Sequence, residues 1–246
     1  MQVVVSGILF DLDGTLLDTS GPIGRSWIQW AGEHGITAAD FQRVGSHGRR
    51  SVDLVNDLVE AGRAGAATRR IHALELADMA GIVAIAGAEQ LLRSLPADRW
   101  GIVTSGDRSL ATARLQASSL GFATDRLLVT GDEVGAGKPD PGPYTAGAAA
   151  LGLPPQQCLV IEDAPAGVVS GRAAGARTLA LTTTVEPEQI GDADFVVADL
   201  SSVRVLSVAV GIVLEVDLEP ASRPAPAHSL GDQPHPAQQA SKGARP

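Results

Sequence analysis

Residues 2–15 read QVVVSGILFDLDGT, and this stretch decides the fold. From Gln2 to Phe10 it is rich in Val and Ile, too short for a typical helix, and closed by the polar turn Asp11-Leu12-Asp13-Gly14, which predicts one buried strand. Two carboxylates one residue apart at a strand end repel each other if left unpaired. Asp11 and Asp13 therefore require a divalent cation or a dedicated hydrogen-bond network. The bland alternative is an ordinary turn in which Asp supplies side-chain hydrogen bonds and Gly a positive φ.

Working outward, short apolar runs recur at residues 100–103, 127–129, 157–161, 178–181 and 195–197, with helical stretches at 109–120, 144–151 and 166–174. Strands alternating with helices predict an α/β protein whose parallel sheet is covered on both faces through right-handed crossovers. Such sheets bind ligands beyond the carboxyl ends of their strands. The alternation breaks between residues 19 and 82, where 23–34, 51–59 and 66–79 all read as helices with no strand between them. An all-helical insert of this kind reads as a lid. The expected organisation is an α/β core at 1–18 and 83–218, a helical cap at 19–82 and a disordered tail at 219–246, where six of the fifteen prolines fall. The even positions from Leu206 to Leu218 are all apolar, which predicts an edge strand or a hairpin broken at Gly211.

Composition narrows the partners. The chain has 246 residues, 44% of them hydrophobic, enough to bury a sizeable core. Nineteen Lys+Arg against 28 Asp+Glu give a net charge of −9, so no basic footprint for nucleic acid is expected. Cys158 is the single cysteine and cannot form an internal disulfide, and the five histidines lack zinc-site spacing, which together fit a reducing cytoplasm. The first residues lack the pattern of a secretory signal. The apolar stretch 203–218 carries Arg204, Glu215 and Asp217 and is shorter than the roughly 20 residues a membrane span requires, so no membrane partner is expected. No protein partner is inferable.

Three more strand ends carry polar clusters. Ile102-Val103-Thr104-Ser105-Gly106, read alone, fits a helix cap. Gly137-Lys138-Pro139-Asp140-Pro141 is not a P-loop, because Asp132 stands where the first glycine belongs and Pro139 where Ser or Thr would bind magnesium; read alone, Lys138 fits a solvated loop. Val160-Ile161-Glu162-Asp163 ends on adjacent carboxylates followed by Ala164-Pro165-Ala166-Gly167 and a helix; the pair alone fits a dipole partner at a helix start.

Taken in order, the four clusters resemble the motifs of the haloacid dehalogenase (HAD) superfamily of phosphohydrolases: D-x-D-G-T, a strand ending in Thr or Ser, a lysine, and E-D-x-x-x-G. The resemblance implies a Rossmann-like parallel sheet flanked by helices, with an inserted all-helical cap. It makes Asp11 the nucleophile towards phosphorus, and Asp13 the general acid that then activates water. Thr104, or Ser105 if the register shifts by one, would hold the phosphoryl oxygens with the Ser105 and Gly106 loop, and Lys138 would pair with nucleophile and phosphate. The implied cofactor is magnesium (Mg2+), held by Asp11, the Asp13 carbonyl and Asp163, with Glu162 ligating directly or through water.

The insert resembles the small cap of the phosphoglycolate phosphatase and β-phosphoglucomutase branch. Within it, Gly45-Ser46-His47-Gly48-Arg49-Arg50-Ser51 resembles the cap loop of glycerol-3-phosphate and 2-deoxyglucose-6-phosphate phosphatases. Arg49 is then the leading candidate to reach substrate, followed by His47 and Arg50, against the alternative of a basic surface loop. Sugar phosphomutases with this core often carry a histidine five residues after the aspartate that opens the cap; here Asp18 is followed at that distance by Ile23, which points to hydrolysis. Dehalogenases lack the second aspartate, so Asp13 points to a phosphate ester. The expected activity is Mg2+-dependent hydrolysis of a small phosphorylated sugar or polyol; a phosphomutase or a phosphoglycolate-type phosphatase is the alternative. Tyr144, Trp27 and Trp30 read as packing residues.

Overall fold

In the computed structural model, which describes residues 1–45, 48–190, 192–209 and 211–218, the apolar run at 2–10 breaks in two at Ser6. β1 (Gln2–Val5) alternates exposed and buried residues and pairs antiparallel with the last strand, whereas β2 (Gly7–Phe10) is buried throughout and enters the main sheet. The single expected strand is thus two. The change from alternating to continuous burial marks the switch between sheets, and the Ser6 N–H donates to Gln157 O at 2.8 Å.

β2 runs through the Asp-rich turn into β3 (Leu17–Asp18), which pairs antiparallel with β4 (Val83–Ala84). Between those two strands lie α1 (Ser20–His34), α2 (Ala38–Val44), α3 (Ser51–Leu58) and α4 (Ala61–Ala77). The chain continues with α5 (Ala88–Ser94), β5 (Trp100–Val103), α6 (Arg108–Gln116), β6 (Leu127–Val129), α7 (Gly142–Ala150), β7 (Cys158–Glu162), α8 (Pro165–Ala173), β8 (Arg177–Leu181) and β9 (Phe195–Val197). Six parallel strands form the main sheet in the order β6-β5-β2-β7-β8-β9. The chain leaves β2 towards β5 and β6, then returns to β7 and proceeds the other way. That reversal opens a crevice beyond the carboxyl ends of β2 and β7, where ligands bind in sheets of this kind.

Side chains alternate across the sheet. Ile8 and Phe10 point into a large core with Leu92, Leu115 and Ile161, while Leu9 packs on the other face with Val103, Tyr144 and Val160. Of the two arrangements expected here, β10 (Val203–Ser207) and β11 (Ile212–Val216) form the hairpin, joined by β1 in a separate three-stranded antiparallel sheet. The even-position rule holds in β11, whose Ile212, Leu214 and Val216 are buried. It fails in β10, where Val203 is buried and Leu206 exposed, with a register irregularity between Val205 and Ser207.

The four inserted helices have their own small core of Trp30, Val55, Ala67 and Ile71, and Trp30 Nε1 donates to Ala67 O at 2.9 Å. α1 stops at Gly35, whose φ of 69° supplies the left-handed cap. α2 was not expected: it has seven residues, none fully buried, so it shows little apolar period. Its local signal is the capping box, in which the Thr37 side chain accepts from Asp40 N and the Asp40 carboxylate accepts from Thr37 N. Among the described residues no helix is long and apolar enough to cross a membrane. The tail expected at 219–246 lies outside the described residues.

Trp30 is fully buried, so Trp30→Ala leaves a cavity and removes the indole bond to Ala67 O. It is expected to cost about 3–5 kcal/mol. Urea denaturation followed by circular dichroism checks this, and a loss below about 1 kcal/mol, as for a surface site, would contradict the packing described.

Candidate active site

Asp11 follows β2 directly, its N–H donating to Ile161 O on β7 at 2.9 Å, so that the carboxylates ending the two strands are brought to one point. The turn after it is tight: Leu12 O accepts from both Leu16 N and Leu17 N, and Gly14 takes a φ of 90°. A Cβ at Gly14 would lie 2.2 Å from Asp163 Oδ2, so only glycine lets the turn approach β7 this closely.

Lys138 reaches the same point from the loop before α7. Its Nζ donates to Asp11 Oδ1 at 2.5 Å, Glu162 Oε1 at 2.6 Å and Val103 O at 2.9 Å, using all three protons. Glu162 is enclosed by donors: Oε1 also accepts from Tyr144 OH at 2.6 Å, and Oε2 accepts from the N–H groups of Asp163 and Ala164. Gly167 makes room for it, since a Cβ there would sit 1.8 Å from Oε1. Asp163 is held differently, by the hydroxyls of Thr15 on Oδ1 at 2.9 Å and Thr184 on Oδ2 at 2.5 Å.

Burial dominates the electrostatics. It pushes the Asp11 carboxyl well above the usual range against the pull of Lys138, with Glu162 and Asp163 adding to the rise. Burial and then Glu162 raise Asp163 to about 7, although the two threonine hydroxyls oppose this. Burial works against the Lys138 charge too, yet Asp11 and Glu162 outweigh it and hold the ammonium above its ordinary value.

One oxygen each from Asp11, Glu162 and Asp163 lies within 4.8 Å of the others, and all three residues are buried. Three clustered carboxylates of hard oxygen donors, facing a single ammonium, suit a small divalent cation, so the residues fit Mg2+. A cavity of about 670 Å³ opens above them, lined from the core by Asp11, Asp13, Thr104, Ser105, Gly106 and Asp163, and from the insert by Trp27, Phe41 and Glu75 on its helices and Arg49 on the loop before α3. The structure thus gathers Asp11, Asp13, Thr104, Lys138, Glu162 and Asp163 in one place.

Thr104 Oγ1 accepts from Gly106 N at 3.1 Å, while Ser105 Oγ donates across the seam to Gly48 O at 2.7 Å. Arg49 lines the cavity, but its guanidinium donates to Val44 O, Gly45 O and Asp57. Arg50 fastens the same loop to the core by donating to Gly131 O and Val134 O, each at 3.2 Å. His47 lies outside the described residues. Sequence reasoning missed Thr15, Thr184 and Arg114, and took Tyr144 for packing alone. Arg114 had a signal: it shares one face of α6 with buried Leu110, Ala111 and Leu115, and a charge on an apolar stripe needs a partner.

A family model described as haloacid dehalogenase-like hydrolase matches residues 5–175. The chain is 37% identical over 214 residues to hexitol phosphatase A of Escherichia coli, covering 85% of this chain and 97% of that one. It is 32% identical over 241 residues to 2-deoxyglucose-6-phosphate phosphatase 2 of Saccharomyces cerevisiae, covering 88% and 97%. Among solved structures, a hydrolase from Pseudomonas syringae shares the fold with a TM-score of 0.72 at 26% identity, covering 79% of this chain and 94% of that one. With most of its length matched and its strand-end acids and lysine converging at the sheet's switch point, the chain belongs to the haloacid dehalogenase-like hydrolases.

Proposed function

We propose that this hydrolase removes the phosphate from a small phosphorylated sugar or polyol through an aspartyl-phosphate on Asp11. The observation that carries the reading is the Asp11 carboxylate, buried with Lys138 at 2.5 Å and opening onto a lid-covered cavity that also holds Asp13. Asp11 attacks phosphorus as the bond to the sugar oxygen breaks, and Asp13 gives that oxygen its proton. Asp13 then takes a proton from water, the water oxygen bonds to phosphorus, and the Asp11–phosphorus bond breaks to release inorganic phosphate. Thr104 and the N–H groups of the Ser105–Gly106 loop hold the phosphoryl oxygens, and the Lys138 charge lowers their repulsion for Asp11.

Asp11, Asp163 and the Asp13 carbonyl would hold Mg2+, which when bound supplies the positive charge a phosphate dianion needs beside these carboxylates. Glu162, already accepting from Lys138, Tyr144 and two backbone N–H groups, holds Lys138 in place; contact with the ion would be through water. Two observations favour a sugar or polyol. The relatives are phosphatases named for a hexitol and for 2-deoxyglucose 6-phosphate, and the cavity of about 670 Å³ has ample room for a six-carbon chain. Ile23, not a histidine, lines the cavity where the opening of the lid meets it, which favours hydrolysis over phosphoryl return to a sugar. The single cysteine, buried Cys158, fits a cytoplasmic setting.

Asp11→Asn is expected to lower phosphate release from 2-deoxyglucose 6-phosphate by about 10³-fold or more while the fold is kept. Release within about tenfold of the parent would remove the mechanism. A phosphate-release screen over hexitol, hexose, glycerol and glycolate phosphates is expected to rank the six-carbon esters first; a preference for glycolate phosphate would contradict the substrate class. The raised Asp163 has its own consequence. A carboxyl lifted from 3.8 to about 7 on folding contributes stability in full below the lower value and loses it as pH rises through about 7. The chelated protein should therefore melt lower at about pH 8 than at about pH 6, and Mg2+ should restore more at the higher pH, because it binds the deprotonated carboxylates. Melting temperatures that ignore both pH and Mg2+ would count against the site.

A further inference from the structure

Arg114 lies on α6, outside the four strand-end clusters, and only 5% of it is exposed. Its Nη1 donates to Asp13 Oδ2 at 2.7 Å, and its Nη2 lies 3.5 Å from Glu75 Oε2. Glu75 sits on α4, in the inserted helices, and is equally buried at 5% exposure. Arg114 and Glu75 both line the cavity that holds Asp11 and Asp13. One guanidinium thus spans the seam between lid and core, and the core carboxylate it grips belongs to the D-x-D-G-T turn.

The two oxygens of Asp13 differ as a result. Oδ2 is taken by Arg114, while Oδ1 is shielded from solvent and has no hydrogen-bond partner among the described residues. A buried carboxylate oxygen without a donor is costly, so its position has to be imposed from elsewhere. The 2.7 Å grip on Oδ2 imposes it. We infer that Arg114 is the positioning residue of Asp13, holding Oδ2 and so fixing the carboxylate at the cavity wall, and that Glu75 ties this hold to the lid. The inference rests on the reading of Asp13 as the general acid.

An arginine suits the task better than a lysine. Its planar fork reaches two carboxylates on different elements at once, and its charge persists in burial. When the lid lifts, Glu75 leaves with α4 and Arg114 retains Asp13 alone; when the lid closes, Glu75 completes the fork and fixes its plane. The acid is then held in position when a substrate is enclosed.

The test uses leaving groups. An alkyl phosphate needs its departing oxygen protonated, whereas p-nitrophenolate leaves without a proton. The value of kcat/KM reports only steps through formation of the aspartyl-phosphate, so it isolates the acid role of Asp13 from its later role towards water. Arg114→Gln is expected to lower kcat/KM for 2-deoxyglucose 6-phosphate by about 100-fold, and at least tenfold more than for p-nitrophenyl phosphate. Arg114→Lys should recover part of the loss on the alkyl ester. In an Asp13→Asn background Arg114→Gln should add little, because the two residues act as one unit. If Arg114→Gln proves unstable in thermal melting, Glu75→Gln takes its place and is expected to show the same discrimination at smaller size. Equal losses on the two esters, in whichever variant folds, would mean a structural role only and would overturn the inference while the hydrolase reading stands. A parent protein inactive on both esters would overturn the hydrolase reading and the inference with it.

Discussion

The structure depends on a charge imbalance buried at the switch point of the sheet. Asp11, Glu162 and Asp163 bring three carboxylates within 4.8 Å of one another, and Lys138 brings one ammonium. Burying an ion pair is tolerable when every proton and lone pair finds a partner, and Lys138, with all three protons donated, meets that condition. The remaining carboxylate charge is softened by hydroxyls from Thr15, Thr184 and Tyr144 without being neutralised. A fold that accepts this cost gains a cluster whose donor set fits a divalent cation, which is what the proposed attack of a carboxylate on a phosphate dianion requires. The glycines at 14 and 167 serve the same end by letting backbone come where a Cβ could not.

Around that cluster the architecture has two parts with different tasks. The parallel sheet holds Asp11, Thr104 and Asp163 at strand ends, where rigid elements set their separation. The inserted helices add apolar side chains such as Trp27 and Phe41 to the lining of the cavity that holds Asp11 and Asp13. The seam between the parts is polar and specific: Ser105 to Gly48 O, Arg50 to Gly131 O and Val134 O, and Arg114 between Asp13 and Glu75. Polar seams of this kind can break and reform at low cost as a lid moves, unlike a continuous apolar core.

Much of this was legible in the sequence because it is local. An apolar strand ending in acids, a Thr-Ser-Gly turn and a lysine before a proline are each read within five residues, and their order matches the HAD motifs. Less local features were harder. The break at Ser6 has no apolar signature, since Val3, Val4 and Val5 are all apolar and only their burial alternates; the tertiary pairing of β1 with β11 decides which sheet each half joins. The parity flip in β10 follows from an irregular register that even-position counting cannot detect. α2 packs too little apolar surface to betray itself, and its capping box was the available cue. Thr15, Thr184 and Arg114 act through partners 148, 21 and 101 residues away, and such pairings exist only once the chain has folded.

The central claim is that Asp11, pinned by Lys138 in this buried cluster, takes the phosphoryl group onto its own carboxylate. Acid-quenched mass spectrometry during turnover of a hexitol phosphate with Mg2+ measures it directly. One phosphoryl group is expected on the peptide containing Asp11, appearing within the first turnover and vanishing when substrate is exhausted. A chain that turns over the same ester with no phosphoryl group on that peptide at any quench time, or with it on another residue, would contradict the claim.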